Sequence, residues 1–250
     1  MYTQAPSRVP AVTVMFWVVK VLTTGMGETA SDFLFQHLAP PVALAIGLAG
    51  LVTALVLQFR ARRYVPWRYW FAVAMVSVFG TMAADVAHVG LGVPYVASAA
   101  FFVVVLAAIF LLWHRTEHSL SIHGIRTRRR EGYYWATVLA TFALGTATGD
   151  LTAKTLHLGY FPSAALFAVV IAIPAMAHTW LRLNGIFAFW FAYITTRPLG
   201  ASFADWFASP HSQGGLDAGT GPITLILTIA IVVLVVGIGS GWRVFGRMRA

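Results

Sequence analysis

Long apolar stretches alternate with short polar connections along the whole chain. Each stretch is close to the roughly 20 residues that an α-helix needs to cross the hydrocarbon core of a bilayer. The stretches are continuously apolar, which argues against the short alternating strands of a membrane β-barrel. The pattern predicts an all-α, polytopic membrane protein with eight transmembrane helices. The predicted spans are Val12–His37, Val42–Gln58, Trp67–His88, Val93–Trp113, Tyr133–Thr155, Phe161–Leu181, Ile186–Phe207 and Ile223–Trp242.

The composition agrees with this pattern and excludes two other classes of protein. Of the 250 residues, 59% are hydrophobic and 10% are charged, and the mean hydropathy is +0.77. A soluble domain is about 45–50% apolar and about 25% charged, and a disordered chain combines high charge with low hydrophobicity. A soluble globular enzyme and a disordered protein are therefore both excluded. Because the chain contains no cysteine, disulfides and thiolate metal sites are excluded as well.

The net charge of +9 comes from basic residues that gather on one side of the predicted spans. These residues precede the first span, follow an even-numbered span or, in the case of Arg68, lie at the very start of the third span. They number 14 of the 17 Lys and Arg: Arg8, Arg60, Arg62, Arg63, Arg68, Arg115, Arg126, Arg128, Arg129, Arg130, Arg182, Arg243, Arg247 and Arg249. The positive-inside rule then predicts cytoplasmic N- and C-termini. The run Arg126–Arg130 is of a kind that binds nucleic acid or anionic lipid. We interpret it as a topology-setting loop, so the expected surroundings are a lipid bilayer with no nucleic-acid partner.

A motif recurs four times in the odd-numbered spans. An aromatic–Trp pair is followed ten residues after the Trp by Gly and five residues later by Asp, with a small residue before each Asp. The copies are Phe16-Trp17 with Gly27 and Asp32, Tyr69-Trp70 with Gly80 and Asp85, Tyr134-Trp135 with Gly145 and Asp150, and Phe189-Trp190 with Gly200 and Asp205. Such identical spacing predicts four parallel two-helix repeats. Their expected bounds are about 12–62, 65–118, 131–184 and 185–245, within a single membrane domain over residues 1–250.

The spacing of the motif also predicts how the helices pack. Each Asp lies 15 residues beyond its Trp, about 22 Å along an α-helix, so the four carboxylates should lie at one depth in the outer half of the membrane. The Gly and the small residue four positions later form a face that allows helices to approach closely. We expect the four odd-numbered helices to form an inner bundle and the even-numbered helices to form a lipid-facing shell.

Four phrases of the sequence resemble a known family. They are Phe16-Trp17 through Gly27–Asp32 (GETASD), Gly145–Asp150 (GTATGD), Thr196–Asp205 (TRPLGASFAD) and Gly214–Gly221 (GGLDAGTG). The chain resembles, over essentially its whole length, bacterial integral-membrane proteins built from four tandem two-helix repeats, each with a Trp, known as a repeat of unknown function. The resemblance implies eight spans and a location in the bacterial inner membrane. It implies no activity.

Carboxylates inside the predicted spans are the main candidates for function. A charge near the centre of a bilayer is costly, so ionisable residues there usually mark ion or substrate sites. The expected cation-binding or metal-binding set is Glu28, Asp32, Asp85, Asp150 and Asp205. Thr81, Thr146 and Ser202 lie at or beside the position that Glu28 occupies in the first repeat, and they are expected to be auxiliary oxygen ligands.

Three bases lie inside the spans as expected counter-charges: Lys20, Lys154 and Arg197. Lys154 follows Asp150 by four residues, so the two should pair on one helix face. Five acids against three bases leave a formal excess of −2, which protons or a bound cation must balance. Oxygen ligands without cysteine suit Mg²⁺, Ca²⁺ or Mn²⁺. His88 and His157 near the outer surface are further auxiliary candidates, as nitrogen ligands or proton acceptors.

The resulting hypothesis is a secondary transporter or channel for a cation, preferably a divalent metal and coupled to protons. No catalytic motif is present, so we expect neither an enzyme nor a resident cofactor. Three alternatives remain at the level of sequence. The aspartates could serve a purely structural role in a membrane scaffold, the three bases could hold an organic or anionic substrate, or the Trp and His residues could serve a membrane enzyme or cofactor binder.

Overall fold

The computed structural model describes residues 6–180 and 182–240, and all eight predicted spans are α-helices within them. The helices are α1 Val14–His37, α2 Pro40–Arg60, α3 Pro66–Asp85, α4 Tyr95–Glu117, α5 Arg128–Asp150, α6 Tyr160–Trp180, α7 Gly185–Ala208 and α8 Thr220–Gly239. Leu181 and Trp242, which end two predicted spans, and the basic residues Arg243, Arg247 and Arg249 lie outside the described residues.

Local chemistry explains where several of these helices begin. The hydroxyl of Thr13 accepts a hydrogen bond from the amide of Phe16 at 3.2 Å, and Thr127 accepts one from the amide of Arg130 at 3.2 Å. The side chain of Asn184 caps α7 in the same way. These bonds satisfy amide groups that have no partner within the first helical turn. Helices α2 and α3 begin instead with a proline, whose missing N–H costs nothing there.

Five of the described helices, α2, α3, α4, α6 and α8, are long and apolar enough to cross a membrane. The other three, α1, α5 and α7, have comparable lengths of 24, 23 and 24 residues and carry the buried polar side chains of the repeat. The fold is therefore that of a helical membrane protein, as the hydropathy pattern predicts.

The four odd-numbered helices form a closed ring. Helix α1 packs against α3, α3 against α5, α5 against α7, and α7 returns to α1. The predicted inner bundle is thus confirmed. The ring has two ends, which we name after the motif residues they contain. The aromatic end holds the four aromatic–Trp pairs, and the carboxylate end holds Asp32, Asp85, Asp150 and Asp205.

The even-numbered helices cover this ring, each on the first helix of the following repeat. Helix α2 packs on α3, α4 on α5, α6 on α7, and α8 packs on α1. The two helices of one repeat pack against each other only slightly. Only 28%, 22%, 24% and 17% of the apolar windows of α2, α4, α6 and α8 are buried, compared with 56% for α3. This confirms the predicted shell and shows that neighbouring repeats interlock.

The aromatic–Trp pairs explain the closure of the ring. The first aromatic residue of each repeat contacts the Trp of the next repeat, and the fourth repeat contacts the first. The distances between ring centroids are 5.6 Å for Phe16–Trp70, 5.6 Å for Tyr69–Trp135, 6.1 Å for Tyr134–Trp190 and 5.7 Å for Phe189–Trp17. Three of the four Trp side chains are buried here, so they pack between repeats.

The motif glycines make a second set of contacts between consecutive repeats. In each case an added Cβ atom would overlap or crowd a residue of the next repeat. That residue lies three positions before the motif glycine of its own repeat. The pairs are Gly27 with Ser77, Gly80 with Phe142, Gly145 with Arg197, and Gly200 with Thr24. Glycine is therefore required at these four positions for close helix approach.

The segment of residues 6–13 is bound to the aromatic end. Arg8 forms an ion pair with the fully buried Glu131 at 2.5 Å, and its amide donates to the carbonyl of Ile125 at 3.0 Å. The Nε2 atom of Gln58 donates to the same Glu131 carboxylate at 2.8 Å. A carboxylate in the first turn of α5, just before the predicted fifth span, thus has a structural role that the sequence did not indicate.

Candidate functional site

The inner face of α1 carries a stripe of residues four positions apart. From the aromatic end to the carboxylate end these are Phe16, Lys20, Thr24, Glu28 and Asp32. Residues four apart lie on nearly the same face of an α-helix. The first four are buried, and Asp32 at the end of the stripe is half-buried. Polar groups of the other three repeats meet this stripe at successive levels of the ring.

Arg197 of α7 forms the central level. Its side chain is fully buried, forms an ion pair with Glu28 and donates to the hydroxyl of Thr81. It also donates to the hydroxyl of Thr146 at 2.8 Å and to the carbonyl of Thr24 at 3.3 Å. We call these five residues the arginine knot. It joins all four helices of the ring across their axis.

The knot changes the expected roles of three residues. Glu28 was expected to bind a cation together with the aspartates, but its carboxylate is engaged by Arg197 and by Thr81, which donates to it at 3.2 Å. Thr81 and Thr146 serve the same arginine instead of supplying ligands beside an aspartate. The motif position after each glycine therefore forms the polar level that holds the guanidinium, except in the fourth repeat, where Ala201 occupies it.

Lys20 lies one level closer to the aromatic end. The side chain is 1% exposed, and its Nζ atom lies 4.2 Å from the ring centroid of Phe142 and 4.3 Å from that of Tyr193. Within the described part of the chain, Nζ has no hydrogen-bond partner and no carboxylate within ion-pair distance. Lys20 was expected to balance an acid of the site, and the structure shows no such pair.

The carboxylate end contains the one ion pair that the sequence predicts directly. Lys154 Nζ lies 2.9 Å from a carboxylate oxygen of Asp150. Asp150 is buried, whereas the Lys154 side chain is 46% exposed. This lysine therefore lies at the rim of the carboxylate end and neutralises one of the four repeated aspartates.

The other three aspartates have no such partner. Asp32 and Asp85 are half-buried and Asp205 is buried. The Ser31 hydroxyl donates to Asp85 at 3.4 Å. No ion pair joins any of the three carboxylates to a base among residues 6–180 and 182–240. Three repeated carboxylates without a counter-cation are the least compensated charges within the ring.

Local helix geometry differs between the repeats at this end. One π-helical turn, Val86–Gly90, follows Asp85, and another, Leu151–Thr155, follows Asp150. In the first and fourth repeats the α-helix continues past the aspartate instead. Such π-turns are rare, and they are frequent at functional sites.

The remaining auxiliary candidates have separate positions. His88 lies in the first π-turn and is buried, and its Nδ1 donates to the carbonyl of Val93 at 3.2 Å. Its ring lies 4.2 Å from that of Tyr95. His157 is exposed and has a left-handed backbone with φ of 54°. Ser202 is buried next to Gly149 of α5, away from the knot's hydrogen bonds.

The aspartates do not form a metal cage in this conformation. Among the residues that the structure describes, no three acidic or histidine side chains come together as ligands of one metal ion. Since all five predicted carboxylates are described, a divalent ion at the carboxylate end would require these side chains to move together, or water molecules to complete its shell.

Sequence reasoning missed the aromatic partners of Lys20 and a pair of buried tyrosines. The hydroxyls of Tyr69 and Tyr134 lie 2.5 Å apart within the aromatic end. The signal was present in the repeat itself. Tyr193 occupies the position in the fourth repeat that Lys20 occupies in the first, seven residues before the motif glycine. Aligned positions in the four repeats therefore identify which side chains meet at one level.

Comparison with known proteins identifies the family and nothing further. The family model described as a Repeat of Unknown Function (DUF347) matches residues 15–64, 68–119, 133–184 and 188–238. The chain belongs to this family and contains four tandem copies of the repeat. No curated protein and no solved structure matches the chain.

Proposed function

We propose that this protein is a secondary transporter or channel for a small inorganic cation, with a divalent metal as the first candidate and protons as the coupling ion. The observation that carries the proposal is the set of three repeated aspartates at the carboxylate end, Asp32, Asp85 and Asp205, that lack a basic partner among the residues the structure describes. Unpaired carboxylates in a membrane interior mark ion pathways and proton relays more often than packing sites.

Charge balance supports this proposal. Arg197 neutralises Glu28 and Lys154 neutralises Asp150. Among the five acids and three bases considered above, three aspartates and Lys20 then remain, with a formal excess of two negative charges. A low-dielectric interior does not tolerate such an excess, so protons or a bound cation are expected to compensate it.

The arginine knot favours a transporter that changes conformation over an open channel. It joins α1, α3, α5 and α7 on the axis of the ring through buried hydrogen bonds. A cation that enters from the carboxylate end meets the guanidinium of Arg197 before it can cross. Passage therefore requires the knot to rearrange, as a gated or alternating mechanism would allow.

The proposal includes an orientation. The aromatic end faces the cytoplasm, because the arginine-rich connections between α2 and α3 and between α4 and α5 lie at that end. Both termini are then cytoplasmic and the carboxylate end faces outward, in the inner membrane of a bacterium. The proposal needs neither a catalytic step nor a resident cofactor.

The decisive experiment compares aspartates with and without a proposed role. Purified protein is reconstituted into liposomes, and fluxes of Mg²⁺, Mn²⁺, Ca²⁺, Zn²⁺ and H⁺ are measured alongside calorimetric binding. We expect Asp32→Asn and Asp85→Asn to abolish binding and flux of the ion that wild type carries. Asp217→Asn is the matched control, because Asp217 is exposed in the connection between α7 and α8 and its left-handed backbone suits asparagine.

Two outcomes would contradict the proposal. Flat traces for every ion with well-folded wild-type protein would exclude transport of these cations. Unchanged metal and proton binding in both aspartate variants would exclude the proposed site. Equal losses in Asp217→Asn would show that the assay reports a nonspecific effect of charge.

One specific observation favours a second candidate, a membrane scaffold without transport. The knot places Glu28 in a purely internal ion pair, and buried polar contacts of this kind do hold membrane helices together. If the aspartates have a similar role in a scaffold, Asp32→Asn and Asp85→Asn should lower the melting temperature. Neither the wild type nor the variants would then show any ion flux. By contrast, the structure gives little support to a substrate held by all three bases, because Lys154 is at the rim while Arg197 and Lys20 lie at two deeper levels.

A further inference from the structure

Lys20 is a buried base of the ring that takes part in none of the ion pairs between described residues. Its ammonium or amine group is 1% exposed and lies between the faces of Phe142 and Tyr193. Nζ has no hydrogen-bond acceptor among the described residues. A residue kept for structure alone at this level would not need a nitrogen atom, since Val73 and Val138 occupy the same motif position in the second and third repeats.

The neighbouring helices supply few groups that could stabilise a charge on Lys20. Helix α7 contributes Arg197, which carries the same sign of charge as an ammonium group, and Tyr193, which offers its ring face. Helices α3 and α5 contribute Tyr69 and Tyr134, whose hydroxyls bond each other. Helices α2 and α8 contribute no titratable group at this level, and Glu28 lies two turns away on α1.

The knot and the neighbouring level of Lys20 together contain one carboxylate for two bases. Glu28 already pairs with Arg197, so a proton on Lys20 adds an uncompensated positive charge in a buried region. Cation–π contact with two rings offsets part of this penalty, and the like charge of Arg197 adds to it. Proton binding at Lys20 is consequently sensitive to any other change of charge along the axis.

We propose that Lys20 is a proton-binding site that exchanges its proton during the working cycle. The proton adds to the lone pair of Nζ and leaves from the same atom, and no other bond changes. When a cation occupies the carboxylate end, the added positive charge favours release of the proton from Lys20. When the cation leaves, the proton returns. The role in exchange rests on the proposed transport function, whereas the proton site itself can be tested alone.

The chain offers an unusually clear test, because Lys20 and Lys154 are its two lysines. Protein labelled with ¹⁵N-lysine in detergent micelles should give two Nζ signals, and Lys154→Arg assigns them by removing one. We expect the Lys20 signal to move between its ammonium and amine positions over the pH range in which the protein stays folded, because Nζ is buried without a carboxylate partner among the described residues. The signal of Lys154, paired with Asp150 at the rim, should stay at the ammonium position and serves as the internal control.

A Lys20 signal that stays at the ammonium position throughout would overturn the inference, whatever the fluxes show. Lys20→Met should fold. In liposomes that contain this variant, the dependence of cation flux on the pH gradient should be at least tenfold weaker than in wild type. Unchanged pH dependence in Lys20→Met would also overturn the role in exchange. Absence of any flux in wild type contradicts the proposed function instead, and the titration of Lys20 then still decides whether the proton site exists.

Discussion

The two ends of the ring use repetition in opposite ways. At the aromatic end the same residues make the same contact four times, from the first aromatic residue of one repeat to the Trp of the next. At the carboxylate end the same residue, Asp, has four different surroundings. Asp150 pairs with Lys154, Asp85 accepts from Ser31, Asp205 is buried, and Asp32 is half-buried without an ion-pair partner in the described part of the chain.

This difference separates what holds the ring together from what the ring can bind. Contacts that are identical in every repeat close a ring and need no further ligand. A motif residue that recurs in every repeat but has different partners in each copy is not explained by closure of the ring. Three of these carboxylates have no basic partner among the described residues. We therefore assign stability to the aromatic end and ion binding to the carboxylate end, with the arginine knot between them.

The largest loss of stability is expected at the knot. Arg197→Met removes the base that pairs with Glu28 and leaves a buried carboxylate unpaired, which costs about 3–5 kcal/mol in buried pairs elsewhere. This loss is measured as the decrease in the free energy of unfolding in detergent micelles, with unfolding followed by circular dichroism. Arg197→Met combined with Glu28→Gln should recover part of the loss. An Arg197→Met variant as stable as wild type would show that the knot does not stabilise the packing of the four helices.

Loss of an aromatic contact between repeats should lower the free energy of unfolding by nearly as much. Trp70→Ala removes a 2%-exposed side chain that packs on Phe16 of the preceding repeat, and we expect a loss of about 3 kcal/mol. Trp67→Ala is the matched control, since Trp67 lies one turn earlier on α3 and is 51% exposed. Equal losses in the two variants would contradict the assignment of stability to contacts between repeats.

A smaller loss is expected from the glycine contacts. In Gly145→Ala the new Cβ would overlap the Arg197 side chain and approach the Cδ of Pro198 to 3.1 Å, and overpacking of this kind costs about 1–3 kcal/mol. Gly132→Ala on the same helix meets no atom within 4 Å and should be neutral or stabilise α5 by up to about 1 kcal/mol. The same unfolding measurement distinguishes them. A stable Gly145→Ala would mean that α5 and α7 can separate without penalty.

Much of the fold could be predicted from the sequence because periodicity and spacing are properties of one helix at a time. Hydropathy located all eight helices, and the repeated motif correctly predicted that the four odd-numbered helices form the inner bundle. The four-residue spacing of Asp150 and Lys154 also predicted their ion pair, which the structure confirms. Each of these inferences needs only the geometry of a single α-helix.

The partners across the ring could not be predicted in this way. Arg197 and Glu28 are 169 residues apart, and nothing in the spacing along α7 indicates which helix its side chain faces. Which residues of one repeat contact which residues of the next also depends on the order of the helices in the ring. For the same reason the sequence placed Glu28 with the aspartates, whereas Arg197 from the neighbouring helix binds it one level deeper.

The smallest effect is expected from the ion pair at the carboxylate end. Lys154→Gln removes the base beside Asp150, but the Lys154 side chain is 46% exposed, and solvent-exposed ion pairs contribute at most about 1 kcal/mol. The free energy of unfolding should therefore change by less than about 1 kcal/mol, in contrast to Arg197→Met. Binding of the transported cation should instead become tighter, because the variant gains an unpaired carboxylate. A loss of several kcal/mol would show that the carboxylate end also stabilises the ring, and the division between the two ends would then be wrong.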